Sequence, residues 1–184
     1  MYILHMNKYV KRYLVDAMSG MAQGLFSTLI IGLIIKQIGS FFPAELSGSG
    51  FHDFLVYTGQ FFIVIGQILT VLTGAGIGIG TAHALNAPRL AVCSSILTGT
   101  VGAFATKFIA SVKASEGAFV SVSGVLTLAG PGDPLGAFVA AVIGAELGRL
   151  ICGKTKIDIL LVPAVTVISG CFVAFVTGPA LAAA

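Results

Sequence analysis

The chain is dominated by long apolar stretches that contain few charged side chains. A helix needs about 20 apolar residues to cross the hydrocarbon core of a bilayer. Stretches of about this length are Ala17–Ile35, Phe54–Thr73, Pro88–Lys107, Pro134–Cys152 and Ile157–Leu181. Only 9% of the residues are charged, whereas a soluble domain has about 25%. The sequence therefore predicts an all-α integral membrane protein with about five transmembrane helices, in which residues 17–184 form a single membrane domain.

Lysines and arginines are distributed unevenly among the segments that connect these helices. If the basic N-terminus, residues 1–16, is cytoplasmic, the larger set of cations is cytoplasmic too: Lys8, Lys11, Arg12, Arg89, Arg149, Lys154 and Lys156. The outer set is Lys36, Lys107 and Lys113. Because positively charged loops stay in the cytoplasm, we expect a multi-pass protein of the cell membrane with its N-terminus inside. Arg89 and Lys107 should mark opposite interfaces, about 27 Å apart along one straight helix.

The segment between the third and fourth predicted helices has a different pattern. Residues 117–132 are uncharged but too few to span comfortably, and apolar and small polar residues alternate. This alternation is typical of extended chain rather than helix. Since irregular backbone at membrane depth must be covered by protein or water, we interpret the segment as re-entrant or cavity-lining.

Four glycines alternate along the chain directly after the second predicted helix, from Gly74 to Gly80. Glycine costs about 1 kcal/mol relative to alanine within a helix, so the run predicts a glycine-broken helix. Unwound backbone at Gly76 and Gly78, together with His83 and Asn86, could then bind a polar solute. The alternative is a tight turn that leaves His83 at the level of the lipid headgroups.

Two acidic residues farther along the chain are also candidates for solute binding. Asp133 precedes Pro134 and is well placed as a helix N-cap, and the helix N-terminus could in addition bind a polar ligand. Glu146 lies three residues before Arg149, which favours an ion pair within one helix, although an intramembrane carboxylate is also a candidate site residue. Gln23, Gln60 and Gln67 serve either as contacts between helices or as the lining of a pathway.

Small residues recur at four-residue spacing in the last two predicted helices. Gly136, Ala140, Gly144 and Gly148 form one ridge, Ala137, Ala141 and Ala145 lie beside it, and a third series is Gly170, Ala174 and Gly178. Such ridges allow close approach of another helix. No spacing predicts a metal site or a cofactor, no catalytic motif is present, and the net charge of +3 gives little support to nucleic-acid binding.

A resemblance to a known family is carried by two stretches, TGAGIGIGTAHALNAPRLAVCSSILTGTVGAFA and GPGDPLGAFVAAVIGAELGRLICGKTKIDILLVPAVTVISG. They are similar to membrane-integral enzyme IIC-like proteins of the sugar phosphotransferase system, of the divergent type that includes perfringolysin-regulator-like proteins. The resemblance covers the chain from about Ala17 onward and corresponds to a first half of such proteins.

The resemblance implies a transporter component that binds a small polar solute, most simply a sugar, in a membrane cavity. In enzyme IIC proteins a glutamate and a histidine hold sugar hydroxyls, and the positions that match by residue type are His83, Glu146 and Asp133. It also implies a homodimer or a second-half partner, and separate soluble phosphotransferase components for any phosphoryl transfer. The alternatives are a membrane ligand sensor without transport and a protein that binds lipid or fatty acid.

Overall fold

The computed structural model describes residues 8–43, 45, 48, 50–114 and 128–182, and regular structure within these ranges is helical. The first helix, α1, comprises the consecutive segments Lys8–Val10, Lys11–Asp16, Ala17–Leu25, Phe26–Ile30 and Ile31–Ser40. The turns of Lys11–Asp16 and Phe26–Ile30 are π-helical. The other helices are α2 (Gly50–Val71), α3 (Thr73–Ala84), α4 (Arg89–Ala103), α5 (Ala105–Ala114), α6 (Pro134–Ile151) and α7 (Asp158–Ala182).

The helices that are long and apolar enough to cross a membrane confirm the predicted fold class. Within the described ranges they are Lys11–Ser40, Gly50–Val71, Pro134–Ile151 and Asp158–Pro179. A fifth is obtained if α4 and the beginning of α5, which meet at an angle of 66°, form one broken span. The first helix is longer at both ends than its apolar stretch predicted, because residues 8–16 precede that stretch and residues 36–40 follow it in the same helix. The predicted re-entrant segment, residues 117–132, lies mostly outside the described residues.

The expectation of one straight helix from Pro88 to Lys107 is wrong. The helix bends at Phe104, whose side chain is buried in a cluster with Ile77 of α3 and Ala137 of α6. The carbonyl of Ala103 accepts a hydrogen bond from the N–H of Asp133 at 2.7 Å. In a straight helix this carbonyl would accept the N–H of Lys107. The contact with Asp133 therefore replaces a bond of the helix ladder, and Lys107 lies in α5, beyond the bend.

The expectation that the backbone leaves the helix at Gly74–Gly80 is also wrong. These residues lie within α3, and the break falls just before them, at Leu72. A Cβ atom on Gly76 would lie 2.7 Å from the carbonyl oxygen of Gly24 in α1. One on Gly74 would lie 2.7 Å from the carbonyl oxygen of Gly99 in α4. The run is helical because its glycines let two helices approach the backbone of α3, and this packing offsets their low helix propensity.

Paired glycines mark where α1 packs against its neighbours. The first part of α1 runs antiparallel to α3, and its last part runs antiparallel to α2. Each pair brings two backbones together at a point where a Cβ atom would collide with the opposite chain: Gly20 with Gly80, Gly24 with Gly76, Gly32 with Gly66, and Gly39 with Gly59. On its other sides α3 packs against α4 and α6, and α7 covers α4 and α6. The buried centre of the bundle is therefore shared by α3, α4 and α6.

The small-residue ridges of the last two helices face protein, as predicted. All members of the three series on α6 and α7 are buried. A Cβ atom on Gly144 would reach 2.8 Å from the carbonyl oxygen of Thr166 in α7, and one on Gly136 would reach 2.6 Å from that of Gly102 in α4. These contacts fix α6 between α4 and α7.

Candidate functional site

Several helix ends with basic residues meet at one end of the bundle, which we call the basic end. It comprises the beginning of α1, the turn between α3 and α4, and the turn between α6 and α7, and its cations include Arg12, Arg89, Arg149 and Lys154. The other end of the bundle contains the bend at Phe104 and the beginning of α6. The structure thus places on one end cations that the sequence analysis had assigned to one side of the membrane.

An ion pair between α1 and α6 organises the basic end. The Nε and Nη2 atoms of Arg12 donate to Oε1 of Glu146 at 3.0 and 2.6 Å, and Nη2 also donates to the carbonyl of Leu85 at 2.9 Å. One guanidinium therefore joins α1, α6 and the end of α3. The predicted pair between Glu146 and Arg149 exists, but its closest N–O distance is 3.9 Å. Sequence analysis missed Arg12 as the principal partner, because it read the N-terminal cations only as topology signals.

A cleft of about 460 Å³ opens beside this ion pair. It is lined by charged, aromatic and apolar side chains: Tyr9, Arg12, Tyr13, Glu146, Arg149, Leu150, Cys152 and Lys154. Both hydrogen bonds from Arg12 go to Oε1 of Glu146, and Oε2 faces Arg149 at 3.9 Å. Because the lining contains more cations than acids, the net charge of the cleft is positive.

His83 lies in the last turn of α3 and is exposed. It does not line the cleft beside Glu146. Asn86 follows with a positive φ of 53°, a conformation that asparagine adopts more readily than most residues at a helix C-terminus. The N–H of Ala87 donates to the carbonyl of Ala82 at 3.0 Å and closes the turn. His83 and Asn86 thus project from a defined helix end.

Two clefts share His83 and Asn86. The first, of about 390 Å³, lies against α1 and is also lined by Asp16, Ser19, Gly20 and Gln23. The second, of about 540 Å³, lies against α4 and includes Arg89, Val92 and Cys93. In both clefts His83 is next to groups that can donate and accept hydrogen bonds.

The six residues predicted from the sequence do not converge on one point. Glu146 lines the cleft beside α6, of which His83 is not a part. Asp133 caps α6 at the other end of the bundle, accepting from the N–H groups of Leu135 and Gly136 at 3.0 and 3.1 Å. Along α6 it is about 20 Å from Glu146. Gly76 and Gly78 are packed between helices, so the role of unwound backbone that was predicted for them is not supported.

Sequence analysis missed Asp16 and Ser19 as neighbours of His83 and mentioned Gln23 only as a polar position. A signal for them exists, since Asp16, Ser19 and Gln23 follow the three- and four-residue spacing of one helix face. Within the described residues, no group of three or more His, Cys, Asp or Glu side chains is arranged to hold a metal ion.

A further groove, of about 600 Å³, lies between α1, α2 and the residues before α6. Its polar members are Lys36, Gln67 and Thr70, and its other walls are apolar side chains and the backbone of Ala129 and Gly130. Lys107 donates to the carbonyl of Ala129 at 2.9 Å and lies over the ring of Phe104.

A bundle of helices that are long and apolar enough to cross a bilayer defines a multi-pass membrane protein. The family model of the phosphotransferase system EIIC matches residues 15–184. The chain therefore belongs to this family, and it is a membrane component of sugar transport that works with other parts of the phosphotransferase system. Neither a curated protein nor a solved structure matches the chain.

Proposed function

We propose that this chain binds a small sugar at the basic end of the bundle, with His83 and Asn86 in contact with its hydroxyl groups. The observation that carries the proposal is the position of His83, which is exposed at the end of α3 and lines two adjacent clefts. A neutral imidazole has one donor and one acceptor, and an amide has both. Together they match the alternating donors and acceptors of a sugar.

In this proposal, the other candidate residues from the sequence stabilise the fold and do not contact the solute. Both carboxylate oxygens of Asp133 accept bonds from the first turn of α6. Glu146 is held by Arg12, and Gly76 and Gly78 keep α3 close to its neighbours. Replacing these residues should therefore change stability more than the choice of solute.

The basic end is the cytoplasmic end in this proposal, because it collects the cations that remain inside. Soluble phosphotransferase components would then approach the bound sugar from this side. The polar clefts beside His83 open on the outer surface of the described bundle. A second copy of the chain or a second-half partner would cover them and complete the solute cavity.

Binding of radiolabelled hexoses to the protein in lipid nanodiscs tests the proposed site. His83→Ala should weaken binding by about threefold to tenfold, the loss expected for one hydrogen bond to a neutral group, without changing the melting temperature. His52→Ala is the matched control, since His52 lies in α2, outside these clefts. Unchanged affinity in His83→Ala would contradict the site.

Uptake of the bound hexose into proteoliposomes then separates a carrier from a ligand sensor. A carrier should accumulate labelled sugar at a rate that falls in His83→Ala in proportion to its loss of affinity. Binding without measurable uptake, in vesicles that also contain the soluble phosphotransferase components, would favour the sensor.

A further inference from the structure

A polar stripe follows one side of α1 from the basic end toward the middle of the helix. Asp16, Ser19, Gln23 and Ser27 are separated by three, four and four residues, so they lie on one face. Asp16 is half-buried and the other three are exposed. The stripe covers about 16 Å along the helix axis.

The stripe adjoins the face of α1 that packs on α3. Gly20 and Gly24, the contact points with α3, lie beside it on the helix surface. Three of its members line the same cleft as His83 and Asn86. Farther around α1, Met18 is exposed and apolar. The helix therefore has a packing side, a polar side toward His83, and an apolar side.

A polar stripe within a membrane-spanning helix is costly if lipid surrounds it. Ionisable residues within membrane-spanning segments are costly and almost always face protein or a water-filled cavity. The hydroxyl of Ser27 donates to the carbonyl of Gly24 within the helix, and its oxygen remains an acceptor. No such internal bond occupies the amide of Gln23 or the carboxylate of Asp16 among the described residues.

We propose that the Asp16–Ser27 stripe forms one wall of a water-filled path by which a neutral, hydroxyl-rich solute reaches His83. The inference rests on the proposed function and extends it to a pathway and a solute class. Amide, hydroxyl and carboxylate groups all bind hydroxyls, and a carboxylate accepts from two of them. The same carboxylate repels an anion, so Asp16 favours an unphosphorylated sugar over a sugar phosphate on this wall.

Cysteine accessibility tests the path in the intact protein in lipid. In a chain with Cys93→Ala, Cys152→Ala and Cys171→Ala, single substitutions are made on the stripe and on the apolar side. The stripe variants are Ser19→Cys, Gln23→Cys and Ser27→Cys, and the matched control is Met18→Cys. Because the thiolate forms poorly in apolar surroundings, stripe cysteines should react with methanethiosulfonate reagents at least about tenfold faster than the control.

Equal rates at the stripe and at Met18 would overturn the path, even if His83→Ala loses sugar binding. Conversely, fast labelling of the stripe together with full binding by His83→Ala would remove the proposed site and leave the path. The two ideas therefore fail separately.

A separate measurement tests the role of Asp16: the preference of the thiol of Ser19→Cys for a cationic over an anionic reagent of the same chemistry. Ser19 is three residues from Asp16 and lines the same cleft, so the two side chains are neighbours on the helix surface. The preference should fall severalfold when Asp16→Asn is added, since a charge within several ångströms changes local ion concentrations even in water. An unchanged ratio would overturn the selection against anions. Gln23→Asn is the matched control, because it alters the stripe without removing a charge.

Discussion

The side chains of Arg12 and Glu146 are 2.6 Å apart although 134 residues separate them in the chain. Both are about three-quarters buried, and the same arginine donates to the carbonyl of Leu85. Through this group, the beginning of α1 is fixed to α6 and to the turn that carries Asn86. The geometry of the proposed sugar site therefore depends on an ion pair that contacts no sugar.

Arg12→Ala should lower the stability of the folded protein by roughly 1.5–3 kcal/mol, because it leaves a largely buried carboxylate and a backbone carbonyl without their main donor. Thermal unfolding in a mild detergent measures this change. Arg149→Ala is the control, since its contact with Glu146 is long and more exposed, and it should cost less than about 1 kcal/mol. Equal losses of stability in the two variants would contradict the conclusion that Arg12, and not Arg149, is the principal partner of Glu146.

Gly78→Ala should destabilise the protein even though alanine is the better helix former by about 1 kcal/mol. The added Cβ would collide with the carbonyl oxygen of Ser95 in α4, and overpacking of this kind costs about 1–3 kcal/mol. Gly50→Ala is the control, because nothing lies within 4 Å of a Cβ there. A higher melting temperature for Gly78→Ala would mean that α3 and α4 are not in close contact.

Sequence analysis could predict the membrane class, the approximate spans and the ridges of α6 and α7, because each depends on residues close together in one helix. It could not decide what the glycines of α3 do. The same residue weakens an isolated helix and permits close packing, and the choice depends on Gly20, Gly24 and Gly99, which other helices supply. The bend at Phe104 could not be predicted either, because it also depends on a contact between distant parts of the chain. The N–H of Asp133, some thirty residues away, donates to the carbonyl of Ala103.

The candidate site was predictable only in part. His83 and Asn86 stood out as polar residues at a helix end, and the structure places them beside clefts. Arg12 and Asp16 did not stand out, because cations and acids near a basic N-terminus are expected in any membrane protein. Their neighbours in space, Glu146 and His83, become apparent only when α1 is aligned on α3 and α6.

Asp133→Ala should weaken the protein by about 1 kcal/mol, the usual effect of removing a helix N-cap. Asp133→Asn should retain most of the stability, because the amide oxygen still accepts from the first turn of α6. Sugar affinity should be unchanged in both variants, since Asp133 lies at the end of the bundle opposite His83. Loss of sugar binding in Asp133→Asn at normal stability would show that this carboxylate contacts the solute.

Gly144→Leu should separate α6 from α7 and lower the melting temperature strongly. A Cβ at this position already lies 2.8 Å from the carbonyl oxygen of Thr166, so the larger side chain cannot be accommodated without moving a helix. Leu147→Ala is a useful comparison on the same helix, because this side chain is exposed and its loss creates no internal cavity. Similar melting temperatures for the two variants would place Gly144 on a lipid-facing side.

The orientation in the membrane can be tested with the cysteine that the chain already carries at the basic end. Cys152 is exposed in the turn between α6 and α7, and a cytoplasmic basic end puts it inside the cell. In intact cells that express Cys93→Ala, Cys171→Ala protein, an impermeant maleimide should label Cys152 only after permeabilisation. Glu45→Cys, introduced between α1 and α2 in a chain without the native cysteines, should be labelled before it. The reverse pattern would put the N-terminus and the proposed sugar site on the outer face, where the soluble phosphotransferase components cannot reach them.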